Sequence, residues 1–224
     1  MTEEHKASEF VRSLIEWWEK GGKREYPWRR VSDPFKVLLA EVMLRKTTSA
    51  QVANVFSRIA EKYGTPEAMC KADVDELVQI IKSLGMEYRR SRLLKSIACT
   101  IVEKYGGNVP SDPNELMKLP GVGRYIANAV SCFGYKKRCP IVDTNVARLL
   151  VRFFGLKPKR KRPWEDAKVW ETALKIMPNE GYVEFNYALL DFSGQICMSR
   201  APQCNRCVVS RLCSNFSGGA SSGE

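Results

Sequence analysis

Four cysteines near the C-terminus follow the spacing Cys197-x6-Cys204-x2-Cys207-x5-Cys213. Thiolates so spaced supply either a tetrahedral zinc site or an iron–sulfur cluster, since both want soft, deprotonated sulfur. A single compact loop, in place of two separated Cys-x2-Cys knuckles, favours iron–sulfur and leaves zinc as the alternative. Two carboxylates stand out by their surroundings. From Phe35 to Leu44 only Lys36 and Glu41 are not apolar. A carboxyl there lies at least partly buried, and burial raises its pKa until it can serve as an acid near neutral pH; an arginine partner or a solvent-facing position is the plainer alternative. Asp143 follows the apolar run Pro140-Ile141-Val142 and precedes a helix. It is either an ordinary N-cap or a carboxylate at the lip of a cleft, stabilising a positive charge or activating water. In Leu119-Pro120-Gly121-Val122-Gly123 the glycines allow a tight turn that brings backbone N–H groups to a phosphate at the next helix's N-terminus. The same string is also an ordinary turn between packed helices.

Composition narrows what these groups can do. The 224 residues contain one histidine, His5, in a charged N-terminal stretch. Ser-His-Asp triads, Cys-His pairs and histidine-ligated metals therefore have almost no material. With 36 Lys+Arg against 25 Asp+Glu the net charge is +11, which predicts a polyanionic partner, nucleic acid being the commonest inside cells. An apolar content of 44% suffices for one large or two small packed domains and excludes general disorder. No signal peptide and no stretch of membrane-spanning length are present, so an intracellular, reducing location with no membrane partner is expected. On that reading Cys70, Cys99, Cys132 and Cys139 are core thiols rather than disulfides.

The elements that must position these groups read as helices throughout. Ser8 caps a first helix carrying Phe10, Leu14 and Trp17 and ended by Gly21-Gly22; Tyr26 to Arg30 is an extended connection. Asp33-Pro34 opens the helix of Glu41. Further helices start near Thr48, at Thr65-Pro66 and at Asp73, where Glu76 completes a capping box. A basic amphipathic helix runs from Arg89 to Tyr105 and stops at Gly106-Gly107. Asp112-Pro113 begins a short helix before the glycine turn, and Arg124 to about Gly134 follows it. Helices of about 145–154, 164–176 and 183–195 complete the chain. A basic loop spans Lys157–Arg162, and small polar residues fill 217–224. No period-two alternation predicts a strand.

Taken in order, Pro27-Trp28-Arg29, Glu41-Val42-Met43-Leu44 with Thr47, Leu119-Pro120-Gly121-Val122-Gly123, Val142-Asp143-Thr144-Asn145-Val146 with Arg148, Phe185 to Phe192 and the cysteine loop resemble one family. It is the helix-hairpin-helix base-excision DNA glycosylases of the endonuclease III and MutY superfamily. The resemblance spans roughly residues 10 to 213. It implies an all-α fold of two helical domains flanking a DNA-binding cleft, a [4Fe–4S] cluster and a target base flipped from the duplex. The implied division is a barrel domain at 31–139 with its hairpin motif near 113–134, a cluster domain of 1–30 with 140–213, and a disordered tail at 214–224.

Residue by residue, Asp143 matches the family's catalytic aspartate and Glu41 the acidic residue of the adenine-removing branch. The bifunctional endonuclease III branch carries a Schiff-base lysine two places after the second hairpin glycine. Here that place is Tyr125, and a phenol cannot form an imine, so the lysine-dependent lyase step is expected to be lost. Tyr at this place is similar to the Mig-type thymine/uracil glycosylases that act opposite guanine. Tyr187 replaces the glutamine of the adenine-removing enzymes, and the sequence ends just past the cysteines, without their C-terminal domain.

The resemblance puts Arg45 and Lys46 in the gap left by flipping, where basic donors meet O6 and N7 of an estranged guanine, or else on a phosphate. Ser49, Met86, Tyr88 and Tyr187 join them as pocket or wedge residues. Gly121, Val122 and Gly123 grip a phosphate. The expected activity is monofunctional removal of thymine or uracil mispaired with guanine in double-stranded DNA by a monomer. The alternatives are adenine removal opposite guanine or 8-oxoguanine, and a non-catalytic iron–sulfur or zinc DNA-binding module.

Overall fold

The computed structural model describes residues 2–216; of the tail expected at 214–224, residues 217–224 lie outside the described residues, whereas residues 214–216 are fixed, Ser214 N–H donating to Phe153 O at 3.0 Å and Phe216 N–H to Cys213 O at 3.1 Å. Eleven α-helices follow in order: α1 (Glu3–Trp17), α2 (Pro34–Met43), α3 (Ser49–Lys62), α4 (Pro66–Lys71), α5 (Val74–Ile81), α6 (Glu87–Tyr105), α7 (Pro113–Leu116), α8 (Arg124–Ala129), α9 (Thr144–Phe154), α10 (Ala167–Ile176) and α11 (Tyr182–Gln195). Short 3-10 and π turns join some of them, and no strand occurs among the described residues. The all-α expectation therefore holds. The chain divides into two compact units, one of Met1–Arg24 with Pro140–Glu224, the other of Glu25–Cys139.

In the first unit α1, α9, α10 and α11 enclose a core of Phe10, Leu14, Val146, Leu150, Phe153, Trp170, Phe185 and Phe192. Phe10, Leu14 and Trp18 recur at i, i+4 and i+8, one face of a helix. The cap of α1 is Thr2, whose hydroxyl accepts the His5 N–H at 3.2 Å; the helix therefore begins well before Ser8. A π turn over Trp18–Gly22 ends this segment, with Gly21 at φ 112°. Asp191 is buried in α11 and ties the segment down, accepting from Trp18 Nε1 at 2.8 Å and from Arg24 N at 3.2 Å. Asp166 caps α10 and also accepts the backbone N–H groups of Lys159 and Arg160. That fixes the backbone of the basic loop while leaving its cationic side chains exposed.

The second unit holds α2 to α8. Pro27–Arg30 forms a 3-10 turn where an extended connection was expected, closed by Arg29 N–H on Tyr26 O at 3.0 Å. Trp28 stacks on Tyr26 and meets Phe56 edge-on, which binds residues 25–30 to this unit, ahead of the boundary expected at Val31. The predicted caps Asp33, Thr65, Asp73 and Asp112 each accept a first-turn N–H. The capping box lies at Thr48 and Gln51 instead of Asp73 and Glu76. Asp73 does accept from Glu76 N, but the Glu76 carboxylate turns away to Lys62 and Tyr63.

One cysteine reading is corrected. Cys70 of α4 and Cys99 of α6 form a disulfide, because these two helices pack side by side. Of the four cysteines read as core thiols, Cys132 and Cys139 remain outside any disulfide, the first buried and the second half-buried.

Candidate functional site

In the second unit α2 is nearly all buried and brings Glu41 with it, 4% exposed, in its last turns. The helix packs against α8, whose first turn carries a half-buried Tyr125. Past α2 the chain turns through Arg45 and Lys46, both exposed, before Ser49 opens α3 half-buried. Exposed as it is, Arg45 donates from its guanidinium to Gly121 O at 3.1 Å and joins this turn to the glycine hairpin. Gly121 stands at φ 68°, a backbone that favours glycine, and a Cβ there would meet the Leu93 methyl at 3.0 Å. Val122 N–H closes the turn on Leu119 O, and Gly123 precedes α8 with no side-chain cap.

A second turn lies beside the first. The single hydroxyl proton of Thr47 is shared between Arg45 O at 3.2 Å and Leu84 O at 3.4 Å, and Gln51 Nε2 donates to Ser83 O at 2.9 Å. Gly85 and Met86 follow, with Met86 left-handed at φ 52° and 46% exposed, and Tyr88 55% exposed at the start of α6. Arg45, Lys46, Ser49, Met86 and the hairpin thus come together through two cross-linked turns.

In the first unit Asp143 caps α9, accepting from Val146 N at 2.7 Å and from Asn145 Nδ2 at 3.3 Å. Burial pushes its carboxyl above the ordinary range, opposed by those hydrogen bonds and by the Arg148 charge. Arg148 extends the arrangement one turn further. It donates to Asn145 Oδ1 at 2.9 Å, Ser193 O at 3.0 Å and Cys197 O at 3.0 Å. Arg152, one turn on, reaches Met198 O, Ser199 O and the Cys197 sulfur. The aspartate and the cysteine loop are therefore built on one helix. Tyr187 is half-buried and stacks on Trp18 at 6.4 Å, so its ring belongs to the packing of this unit.

Cys197, Cys204, Cys207 and Cys213, each half-buried, line one cavity of about 40 Å³. Burial, reinforced by the other three thiols, pushes Cys207 up to about 11. Cationic metal beside it would favour the thiolate and reverse that shift. Among the described residues, no group of three or more His, Cys, Asp or Glu side chains converges as it would on a single metal ion.

Arg90 was not singled out from the sequence, although the signal was there. It falls on the apolar stripe of α6, ahead of Leu94, Ile97 and Ile101 at i+4, i+7 and i+11, and only 5% of it is exposed. A charge on a buried stripe implies carbonyl partners.

Helical layout, glycine hairpin and helix-capping aspartate together define a base-excision repair fold. The sequence profile of the HhH-GPD superfamily of base excision DNA repair proteins matches residues 39–174, and the chain belongs to that superfamily. A thymine-DNA glycosylase of Aeropyrum pernix is 39% identical over 204 residues, 90% of this chain and 92% of the relative. A thymine/uracil-DNA glycosylase of Pyrobaculum aerophilum is 36% identical over 90% of this chain and 89% of its own length. Among solved structures, that of a thermostable thymine-DNA glycosylase superposes with a TM-score of 0.90 at 33% identity, covering 95% of this chain and 97% of the other.

Proposed function

We propose that this protein is a monofunctional DNA N-glycosylase that hydrolyses the bond between deoxyribose and a thymine or uracil mispaired with guanine, leaving an abasic site. The observation that carries the reading is Asp143, a carboxylate held by the Val146 N–H and Asn145 in a half-buried position at the head of α9. Superfamily membership and the thymine/uracil-removing relatives support the substrate.

The mispaired nucleotide leaves the stack at lower cost than a paired one, which supplies part of the selectivity. The C1′–N1 bond then breaks with its electron pair departing on the base, and positive charge develops on the sugar. Asp143 stabilises that charge and takes the proton from the water that adds to C1′. Glu41 binds or protonates the leaving base, and Tyr125 stacks on it. With a phenol at position 125 no imine to the sugar forms there. Lys46 and Arg45 face the estranged guanine, with Ser49 beside them; Arg45 is released from Gly121 O as DNA arrives. Met86 fills the vacated stack with Tyr88 next to it, and Gly121, Val122 and Gly123 hold a phosphate through backbone N–H groups at the start of α8. Tyr187 acts indirectly, by packing α11 against Trp18.

Cys197, Cys204, Cys207 and Cys213 are the residues that would hold a [4Fe–4S] cluster, which when bound supplies cationic iron to the thiolates and cross-links the loop. The soft all-sulfur donor set and the shared lining of one cavity by the four thiols support that reading. The partner is double-stranded DNA containing a mismatch, bound by a monomer inside the cell. No helix among the described residues is long and apolar enough to cross a membrane.

The deciding experiment offers duplexes with G·T, G·U, A·G and fully paired A·T to wild type and Asp143→Asn, then cuts abasic sites with alkali. Wild type is expected to release thymine and uracil opposite guanine, and the variant to bind without release. Activity confined to A·G would replace the reading with adenine removal. No release from any duplex would leave a DNA-binding module.

A further inference from the structure

Arg90 lies among apolar neighbours on the inner face of α6, where a guanidinium persists only if hydrogen bonds replace its water. Nη1 donates to Val42 O at 2.8 Å and Met43 O at 3.0 Å; Nη2 donates to Arg45 O at 3.1 Å and Thr47 Oγ1 at 2.9 Å. Val42 and Met43 end α2, and their carbonyls belong to the last turn, which a helix leaves unsatisfied and which carries its negative pole. The guanidinium therefore caps α2 and holds the turn after it. Arg90 N–H makes the first hydrogen bond of α6, to Met86 O at 2.8 Å, so the residue stands one helical turn beyond the second turn, and its side chain ties that helix to the first.

These turns carry Lys46 at φ 55° and Met86 at φ 52°, two of the three non-glycine residues with positive φ among those described. Side chains rarely adopt that backbone unless their surroundings impose it. Here the imposition comes from Arg90 together with the Thr47–Leu84 and Gln51–Ser83 hydrogen bonds.

We propose that Arg90 is a positioning residue for base extrusion: it locks the 45–47 and 85–88 turns at a fixed separation, so that Lys46 and Met86 enter the duplex as a preassembled pair. The inference rests on the glycosylase reading above and adds to it a residue that touches neither substrate nor reacting atoms. If the turns are not preassembled they must be ordered at each encounter, and that cost falls on extrusion. Its size then depends on how much extrusion a substrate needs, which a general weakening of the fold does not.

The test is single-turnover excision by wild type, Arg90→Lys and Arg90→Gln on two duplexes, one with uracil opposite guanine and one with uracil opposite an abasic-site analogue that leaves no partner to estrange. A 2-aminopurine beside the uracil reports unstacking, and circular dichroism confirms folding at the assay temperature. Arg90→Gln is expected to slow excision from G·U about tenfold or more, to slow the abasic-opposed duplex at most threefold, and to lose most of the fluorescence rise. Arg90→Lys recovers part of both, since an ammonium reaches some of the carbonyls. Equal losses on the two duplexes, or no loss on G·U, would overturn the proposal. Should Arg90→Gln fail to fold, Gln51→Ala and Thr47→Val cut the other ties between the same turns and must show the same substrate dependence. A wild type that releases no base but still unstacks the 2-aminopurine would end the glycosylase reading alone, with Arg90 then judged by fluorescence. Absence of both signals would overturn both.

Discussion

At residue scale, Asp143 sets function against stability. Its carboxyl is raised by burial, so the folded state binds that proton more tightly than the unfolded chain does. Ionisation therefore disfavours the fold, and the penalty is complete once the pH exceeds the folded pKa. Asn at position 143 removes the charge and still offers an oxygen to Val146 N–H. Asp143→Asn is expected to melt at the wild-type temperature or above while losing base release, as thermal unfolding and the mismatch assay will show. A clear fall in Tm would contradict this account. On the proposed mechanism the same shift governs the rate: only the carboxylate would support the sugar cation, so excision is expected to fall as pH drops through a value above the ordinary aspartate range of about 3.9. A single-turnover pH profile reads that limb directly. Tyr125 gives a complementary prediction. Tyr125→Lys puts an amine in the first turn of α8, and borohydride is expected to trap a covalent protein–DNA adduct that wild type does not form. Glu41 was legible from its apolar helix alone, and Arg90 from its place on a buried stripe; the partners of Arg90 were not, because they lie on another helix.

At the scale of elements, local signals read well and pairings did not. Asp33-Pro34, Thr65-Pro66 and Asp112-Pro113 marked helix starts because a cap and a first-turn proline act within one turn. Glu76 had the spacing of a capping box, yet Lys62 and Tyr63 attract its carboxylate more strongly than the Asp73 N–H does. The Cys70–Cys99 bond is of the same kind: 29 residues separate the thiols, and only the packing of α4 on α6 brings them together. Such bonds are rare inside cells apart from those of hyperthermophiles. Closing a loop of that length is worth about 3.5 kcal/mol in the chain-entropy account. Reduction, or Cys70→Ser with Cys99→Ser, is therefore expected to lower Tm by roughly 10 °C. An unchanged melting curve after verified reduction would show that the cross-link adds nothing. Helix α9 joins the aspartate to the cysteine loop through Arg148 and Arg152, so disturbing the loop should be felt at the head of the helix.

For the whole molecule, the charge of +11 and a grip on phosphates predict binding that weakens steeply with salt. The logarithm of the binding constant should fall linearly with that of salt concentration, at a slope near −0.9 for each phosphate neutralised. Titrations of a matched and a G·T duplex should give similar slopes with different intercepts, because phosphates position the protein and the mismatch adds its term separately. A flat salt dependence would remove the electrostatic account.

The sequence by itself determined the helical class, most caps, the buried acid at Glu41, the aspartate at a helix head, the four-cysteine loop and the repair superfamily. Each is written in neighbours within a turn or in an ordered run of motifs. Only the tertiary structure decided that Arg45 rests on Gly121, that Cys70 meets Cys99, that Arg148 links Asn145 to Cys197, and that Arg90 holds two strained turns. The physical reason is range. Capping and helical periodicity act between residues a few places apart, whereas a buried charge or thiol takes its partner from whichever element the packed core sets against it.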